Sequence, residues 1–599
     1  MTSPQPARLF DCLRFQAENH PLPDMLAAKD GGGQWKTYAT SDVQTLTRQL
    51  SAGLLRTGVS YGDGTLEGRS KVGILSRNRP EWVIVDLAVQ QAGGVLVPIY
   101  PTINAAELQF VLQDAAVTTV FVDDEVMFRK VAGLRDKLPE LKDIFSFAPI
   151  AGARSWNELL IDPTPELASQ LDGLNRLIQT DELATILYTS GTTGTPKGVM
   201  LSHRNILSNV FSSFELFEEI GIQGRRALSF LPLNHAFERT ATYCYIYSGA
   251  SIYYAESMDT IGENLREVKP TVFTTVPRLL EKVYEGILAK GNSLPPVQKK
   301  LFFWALGLAT RFEINQTQPL AYRLQLALAD RLIFSKWREA LGGNVRAVIT
   351  GAAACQVRLL RIFAAAKVIV MEGYGLTETS PVISGNRFVE SGRLFGSVGP
   401  LLKDVDVRFA EDGEIMVKGP NVMMGYYKRP DLTAEVMTPD GWLRTGDIGM
   451  MVDAKFLKIT DRKKELFKTS GGKYVAPQPI ENKMVESRWI EQMMVVGEGQ
   501  KFVSALIVPS FAAIRQWFSE ENRPYPGDTE VINDESVFKK IKEAVQQYNQ
   551  HFNPVEQIKK FRLLPKEWTI EGGELTPTLK LKRRVILERY GSLVAGMYA

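Results

Sequence analysis

The stretch ILYTSGTTGTPKGVMLSH, residues 186–203, gathers the side chains best suited to holding an anion. Glycine tolerates positive φ and lets other atoms come close to the backbone. The run Ser190, Gly191, Thr192, Thr193, Gly194 can therefore turn successive N–H groups inward. The hydroxyls of Thr189, Thr192 and Thr193 add donors, and Lys197 adds a point charge. That chemistry is phosphate binding. The common NTPase loop, G-x-x-x-x-G-K-[ST], does not fit: counting from Gly191, Pro196 stands at the second glycine and Gly198 at the magnesium-binding hydroxyl. A ligand-free surface turn is the plain alternative, and the density of hydroxyls around the glycines argues against it.

A loop of this kind must be held by regular elements. Downstream, Ile206, Val210, Phe214 and Phe217 recur at helical spacing with Ser202 as N-cap, which predicts a phosphate loop between a strand and a helix. Upstream, β-branched runs alternate with helical patterns: KVGILS, PEWVIVDLAVQQAGG, VLVPIY, AAELQFVLQDA, TTVFVDD. The alternation returns at RALSFLPL, ASIYYA, TVFTTV, VRAVIT and KVIVMEGYG. Such a chain builds α/β sheets, here two or more in one large body.

Within residues 285–342 the strands stop. A helical insertion is expected there, one helix setting Val297, Leu301, Trp304, Leu308 and Phe312 on a common face. From Gly396 onward short strands and an Glu-Asp-Gly turn predict a small antiparallel element. Beyond ITDRKKE the style changes again, with VVGEGQKFVSALIVP as a hairpin and SVFKKIKEAVQQYNQ as a helix. A boundary at Asp461 divides an N-terminal domain, 1–460, from an α+β C-terminal domain, 461–599.

Composition narrows the function classes. At 599 residues the chain exceeds the roughly 250–300 that one hydrophobic core supports. Lys and Arg number 70 against 67 Asp and Glu, a balance that gives no nucleic-acid surface. Cys12, Cys244 and Cys355 lack metal spacing, and His20, His203, His235 and His551 are too scattered for a multi-histidine centre. The opening MTSPQPARLFDCL has no apolar segment, and the run at 301–309 is about half of a membrane span. A cytoplasmic location is expected, with peripheral contact on the inner membrane face left open. The lysine-flanked KKLFFWALGLATRF suits either a membrane surface or domain packing.

The motif YTSGTTGTPKG resembles the signature of the adenylate-forming (AMP-binding) enzymes, among them acyl-CoA synthetases and luciferases. LPLNHAFER, GYGLTETSP, GWLRTGDIG, DRKKELFKTSGGKYVAP and LTPTLKLKR follow in family order, so the likeness runs from about residue 69 to 584. The fold it implies is α/β, a large multi-sheet N-terminal domain with a small mobile α+β C-terminal domain. In that family a carboxylate attacks the α-phosphate of ATP, a meeting of anions that needs positive charge and oriented donors.

The resemblance implies a role for each motif. Thr189, Ser190, Gly191, Thr192, Thr193, Gly194 and Lys197 would embrace the β- and γ-phosphates, with Glu378 and Thr189 on Mg²⁺. Thr377 would touch the α-phosphate. Tyr374, between Gly373 and Gly375, would stack on adenine against Gly351, Ala352 and Ala353. Asp447 would accept from the ribose hydroxyls, helped by Arg462. His235 would lie beside the acyl carboxylate, and Lys580 would reach both the carboxylate and the α-phosphate. The family usually has glycine before this lysine; here Leu579 stands there, as in the long-chain branch. Rotation at Asp461 would then withdraw Lys580 and bring in the loop of Ser470, Gly471, Gly472 and Lys473 for coenzyme A. Taken alone, each residue has a plainer reading: Tyr374 as core, Asp447 as a turn residue, His235 as a satisfied histidine, Lys580 as one charge of the run KLKRR.

PLNHAFER, VPRLLEKVY and the helical insertion lean toward the long-chain acyl-CoA synthetases. The expected activity is a long-chain fatty acid:CoA ligase using ATP, coenzyme A and Mg²⁺. A fatty acyl-AMP ligase that loads a carrier protein, and a non-catalytic acyl- or nucleotide-binding protein, are the alternatives. Lys580, Glu378 and Asp447 are all present, which speaks against the second of these.

Overall fold

The structure, a computed structural model, describes residues 4–190, 196–576 and 579–599. Two eight-stranded sheets dominate it. One has a parallel centre of Ser251–Tyr254, Arg226–Ser229, Val272–Thr275, Ala347–Thr350 and Ile369–Gly375, finished by antiparallel Val382–Gly385. The other centres on Lys71–Leu75, flanked in parallel by Val95–Ile99 and Val117–Val122. These strands are buried throughout, as strands covered on both faces must be, and so read as continuous apolar runs.

The inner faces of both sheets share one core, with helices Pro80–Gln91 and Ala236–Tyr247 inside it. Both helices are buried almost all round, so their polar groups must find partners in the interior. Arg239 donates to both carboxylate oxygens of Asp86 (2.9 and 2.5 Å) and to Thr185 Oγ1 of one sheet (2.7 Å). Its neighbour Glu238 accepts from Thr274 of the other sheet. Removing one partner of so buried a pair costs about 3–5 kcal/mol. The pairs thus pin this helix, and with it the His235 that caps its first turn.

The strand–loop–helix expectation for residues 186–203 is corrected. Leu183–Ser190 turns back as a second, antiparallel strand, Pro196–Ser202, in which Thr189 pairs with Lys197 and Ser190 with Pro196. Helix His203–Ile220 starts only after that strand, where Ser202 Oγ accepts from Asn205 N–H at 3.1 Å. The two strands therefore pair as a hairpin, and the helix follows the second of them.

A four-stranded antiparallel sheet follows: Asp406–Phe409, Glu414–Lys418, Leu443–Val452 and Phe456–Arg462. Beyond it, Ile490–Val496 and Ser504–Pro509 form a hairpin, Lys560–Leu563 adds in parallel, and helices Pro477–Met484, Phe511–Glu520, Glu535–Asn549 and Arg583–Ala595 pack round them. Ile507, Val508, Ile541 and Ile586 centre a separate core there. The architecture is α/β, with a large multi-sheet N-terminal body and a small α+β C-terminal part.

Helices Pro277–Asn292, Pro296–Ala309 and Leu320–Ala329 lie outside the first sheet, the last running through a π-helical turn, Asp330–Phe334, into Ser335–Ala340. The face expected of the middle helix meets the core in part: Leu308 is buried, and Leu301, Trp304 and Phe312 pack half-buried against it. Val297 is 81% exposed, and the buried stripe is Phe302, Ala305, Leu306 and Ala309 with Leu308 beside it. Phe302 turns inward because Gly291 leaves room: a Cβ there would sit 2.2 Å from its ring.

Candidate active site

Parallel strands Ala347–Thr350 and Ile369–Gly375 end side by side, and a parallel sheet presents ligand sites at such carboxyl ends. Gly351, Ala352 and Ala353 follow the first, with Ala352 at φ +70. Gly373, Tyr374, Gly375, Thr377 and Glu378 come from the second; they are only partly buried although Met371 and Glu372 before them are buried. The strand's register shifts between Tyr374 and Gly375, and a Cβ on Gly375 would overlap the Pro381 carbonyl, so glycine is obligatory.

Asp447 ties this edge to the four-stranded sheet. It is 3% exposed, and each carboxylate oxygen is engaged. Tyr374 Oη donates to Oδ2 at 2.7 Å and Arg462 Nε to Oδ1 at 3.0 Å. Asp447 and Arg462 face one another across paired strands, which explains how residues fifteen apart meet. Asp461, next in that strand, is buried; burial pushes its carboxyl up to about 6, and its Oδ2 has no partner among the described residues.

Lys197 and Glu378 are linked through Tyr426, a residue the sequence reading did not single out. The Lys197 ammonium lies 5.1 Å from the Tyr426 ring centroid, and Tyr426 Oη donates to Glu378 Oε1 at 2.7 Å. Tyr426 belongs to a two-residue strand, Gly425–Tyr426, paired with Pro196–Ser202. Nothing local in MMGYYKRP signals that pairing. Thr189 lies opposite Lys197 in the hairpin, and Ser190 ends its strand. Gly191, Thr192, Thr193 and Gly194 lie outside the described residues.

His235 Nδ1 accepts from Phe237 N–H at 3.2 Å, which leaves the proton of a neutral ring on Nε2. Burial, and then the nearby charge of Lys580, push its pKa down to about 4, so the ring is neutral near pH 7. Lys580 is itself lowered to about 8 by burial and by Arg462, against the pull of Asp447, Glu465 and Glu378. One cation thus shares its field with groups from four separate motifs. The turn that carries it is closed by Thr576 N–H to the Lys580 carbonyl at 2.8 Å and by the Leu575–Leu581 bridge. Leu579 sits there at φ +61, the left-handed region that explains the usual glycine at this position.

Ser470, Gly471, Gly472 and Lys473 are not among these groups. They form an exposed turn between Phe467–Lys468 and Tyr474–Val475, where Ser470 N–H donates to the Gln500 carbonyl at 2.9 Å. A second contact that the sequence did not reveal joins the two parts of the chain: Arg278, at the start of Pro277–Asn292, pairs with Glu491 of the C-terminal hairpin and with Glu281 at 3.0 Å. Among the described residues no cluster of three or more His, Cys, Asp or Glu could hold a metal ion unaided. Glu378 and Thr189 are hard oxygen donors of the kind Mg²⁺ takes when phosphates complete its shell.

Comparison with known proteins agrees with this geometry. Residues 13–427 match the model of the AMP-binding enzyme family, and residues 465–599 that of the AMP-binding enzyme C-terminal domain. Long-chain-fatty-acid–CoA ligase FadD15 of Mycobacterium bovis is 34% identical over 575 residues, 94% of this chain and 93% of the relative. Human long-chain-fatty-acid–CoA ligase 1 is 34% identical over 94% of this chain and 82% of its own. In fold, the anthranilate CoA ligase AuaEII with anthranoyl-AMP superimposes at TM-score 0.71 with 16% identity, covering 98% of both chains. A carboxylate reductase adenylation domain from Mycobacterium chelonae gives 0.74 with 20% identity, over all of this chain and 92% of that one. By sequence and by fold, this chain belongs to the AMP-binding enzyme family.

Proposed function

We propose that the chain is an ATP-dependent long-chain fatty acid:CoA ligase, and that its two-step reaction divides between two arrangements of the C-terminal part. The observation that carries this reading is Lys580, a partly buried cation in the shared field of His235, Arg462, Asp447 and Glu378. In the first step the acyl carboxylate attacks the α-phosphate of ATP, the bond to the β-phosphate breaks, and pyrophosphate leaves. Lys580 offsets the charge that gathers on carboxylate and α-phosphate, where a desolvated cation is worth most. His235, neutral with Nε2–H as donor, orients the carboxylate. Tyr374, its hydroxyl held by Asp447, offers a ring face to adenine beside Gly351, Ala352 and Ala353, and Asp447 accepts from the ribose.

Thr377 meets the α-phosphate, while Lys197 and the loop from Thr189 to Gly194 hold the leaving pyrophosphate. Glu378 and Thr189 would hold Mg²⁺, which supplies neutralisation of phosphate charge when bound. In the second step the coenzyme A thiol attacks the acyl carbonyl of the adenylate and AMP leaves. We assign that step to a rotation at Asp461 of residues 461–599, with the turn of Gly471, Gly472 and Lys473 in place of Lys580. Two features support it. A Cβ on Gly471 would meet nothing closer than 3.9 Å, so packing in the present arrangement does not demand glycine there. The relatives named long-chain-fatty-acid–CoA ligases support the acid and the acceptor.

The test is pyrophosphate release from ATP with palmitate, with and without coenzyme A, against acetate and benzoate. Sustained turnover that needs both palmitate and coenzyme A is expected. A single turnover indifferent to coenzyme A would transfer the assignment to a carrier-loading acyl-AMP ligase.

A further inference from the structure

The helix Leu320–Ala329 and the π-helical turn after it carry apolar side chains on the side away from the core. Leu320, Leu324, Leu328 and Leu332, four residues apart, are 69, 64, 50 and 38% exposed. Ala329, Ile333 and Phe334 already supply the buried side. An ordinary surface helix has one apolar stripe facing the core and a polar one facing water; here both are apolar. Val297 and Phe303 extend the exposed set onto helix Pro296–Ala309, which is joined to its neighbour by Tyr322 Oη donating to the Leu308 carbonyl at 2.8 Å. Exposed apolar side chains gathered on two neighbouring helices mark an interaction face.

Charge decides between occupants. From residue 316 to 336 the single acid is Asp330, and it is spent in ion pairs with Arg338 (2.5 Å) and Lys367 (2.6 Å). Arg323, Arg331 and Lys336 are exposed among the leucines, with Lys300 on the adjoining helix and Arg311 just past its end. Helix Pro296–Ala309 has no acid at all. A second copy docking by a two-fold axis would bring this surface against itself, with Arg323, Arg331 and Lys336 facing their own copies and Glu339 as the one exposed acid of residues 316–340. A bilayer with anionic head groups complements both features. Leucines enter the acyl boundary while arginine and lysine stems lie along it with their charges at the phosphates.

We propose that the exposed leucine stripe of residues 320–332, with its cationic rim, is a docking surface for an anionic lipid bilayer. Docking is peripheral, since no helix among the described residues is long and apolar enough to cross a membrane. The proposal does not rest on the ligase reading, because vesicle binding is measured without turnover.

The experiment is co-sedimentation of the purified full chain with extruded vesicles of phosphatidylcholine containing one-third phosphatidylglycerol, beside vesicles of phosphatidylcholine alone. The chain is expected to bind the anionic vesicles, less tightly as salt rises, and the neutral ones weakly. Leu324→Glu/Leu328→Glu weakens binding at least about tenfold, given the value of two partly buried leucines. Arg323→Gln/Arg331→Gln removes most of the preference for anionic vesicles. Leu177→Glu, an equally exposed leucine elsewhere, leaves binding unchanged. All four positions in the double variants are exposed, so the circular dichroism and melting of these variants should match the parent. Equal binding by the leucine variant and the parent would overturn the proposal, as would no binding by the parent. So would a dimer in light scattering that the leucine variant dissociates, which would assign the surface to a second copy.

Discussion

Two turns of the C-terminal part differ in where they stand. The turn at Leu579 and Lys580 reaches into the cleft, half-buried in the field of Arg462 and Glu465 and of Asp447 and Glu378 from the N-terminal body. The turn of Ser470, Gly471, Gly472 and Lys473 stands in solvent, with no group of the cleft among its hydrogen-bond partners. The first stores a left-handed leucine and a desolvated cation; the second holds Gly472 at φ +74 and, in Gly471, a glycine that its present packing does not require. A residue under strain in one arrangement is doing work there. The unused freedom at Gly471 belongs to the other.

The comparison predicts separable losses. The largest is at Lys580: Lys580→Ala slows acyl-adenylate formation by about 10²–10³, in line with loss of an oriented charge at a transition state. Thioester formation from supplied acyl-adenylate stays within a few-fold of the parent. Equal loss in both half-reactions would break the division between the turns. Next comes pH. Lys580 is lowered to about 8, and it acts as the cation, so kcat/KM for adenylate formation holds below pH 8 and falls about tenfold per unit above it. His235 titrates near 4 and adds no loss until the medium approaches that value. Lys580→Arg, always charged, should lose the alkaline fall even at lower activity. An unchanged alkaline limb in that variant would assign the limb to another group.

Gly471→Val tests the opposite turn. Its Cβ has room in the present arrangement, so stability and adenylate formation should hold, while thioester formation drops about tenfold or more if a pantetheine arm must pass close to the backbone. A loss confined to the first step would reverse the assignment. The smallest effect is expected at Arg278 and Glu491, the ion pair between helix Pro277–Asn292 and the C-terminal hairpin. Arg278→Ala or Glu491→Ala lowers adenylate formation about three- to tenfold by loosening the arrangement that keeps Lys580 inside, and the double variant is no worse than either single one. Full additivity in half-reaction assays would show that the pair does not act as a unit.

The site was unevenly legible in the sequence. Tyr374, Asp447, Arg462, His235 and Lys580 could be named because each stands in a short motif whose residue types suit the chemistry. Tyr426, which joins Lys197 to Glu378, could not, because it sits on a two-residue strand whose partner lies more than two hundred positions earlier. The hairpin at 183–202 was read as strand and helix because its second strand opens on Pro196, Lys197 and Gly198, which read as loop, and runs straight into a good N-cap. The face running from Val297 to Phe312 was read only in part: Val297 is exposed, and Phe302, Ala305 and Ala309 carry much of the packing. Helix Pro296–Ala309 is apolar on nearly every side, so periodicity selects no face, and the choice fell to Gly291, which admits Phe302.

By itself, then, the sequence determined the inventory: glycines, hydroxyls and a lysine for phosphates, a tyrosine and an aspartate for a nucleoside, and a distant lysine for a meeting of anions. It also determined the α/β class, since alternating strand and helix patterns are local properties of the chain. Tertiary structure alone decided which cation is inside and which turn is outside. Burial and charge fields arise between groups hundreds of residues apart, and they exist only once the two parts of the chain are packed together.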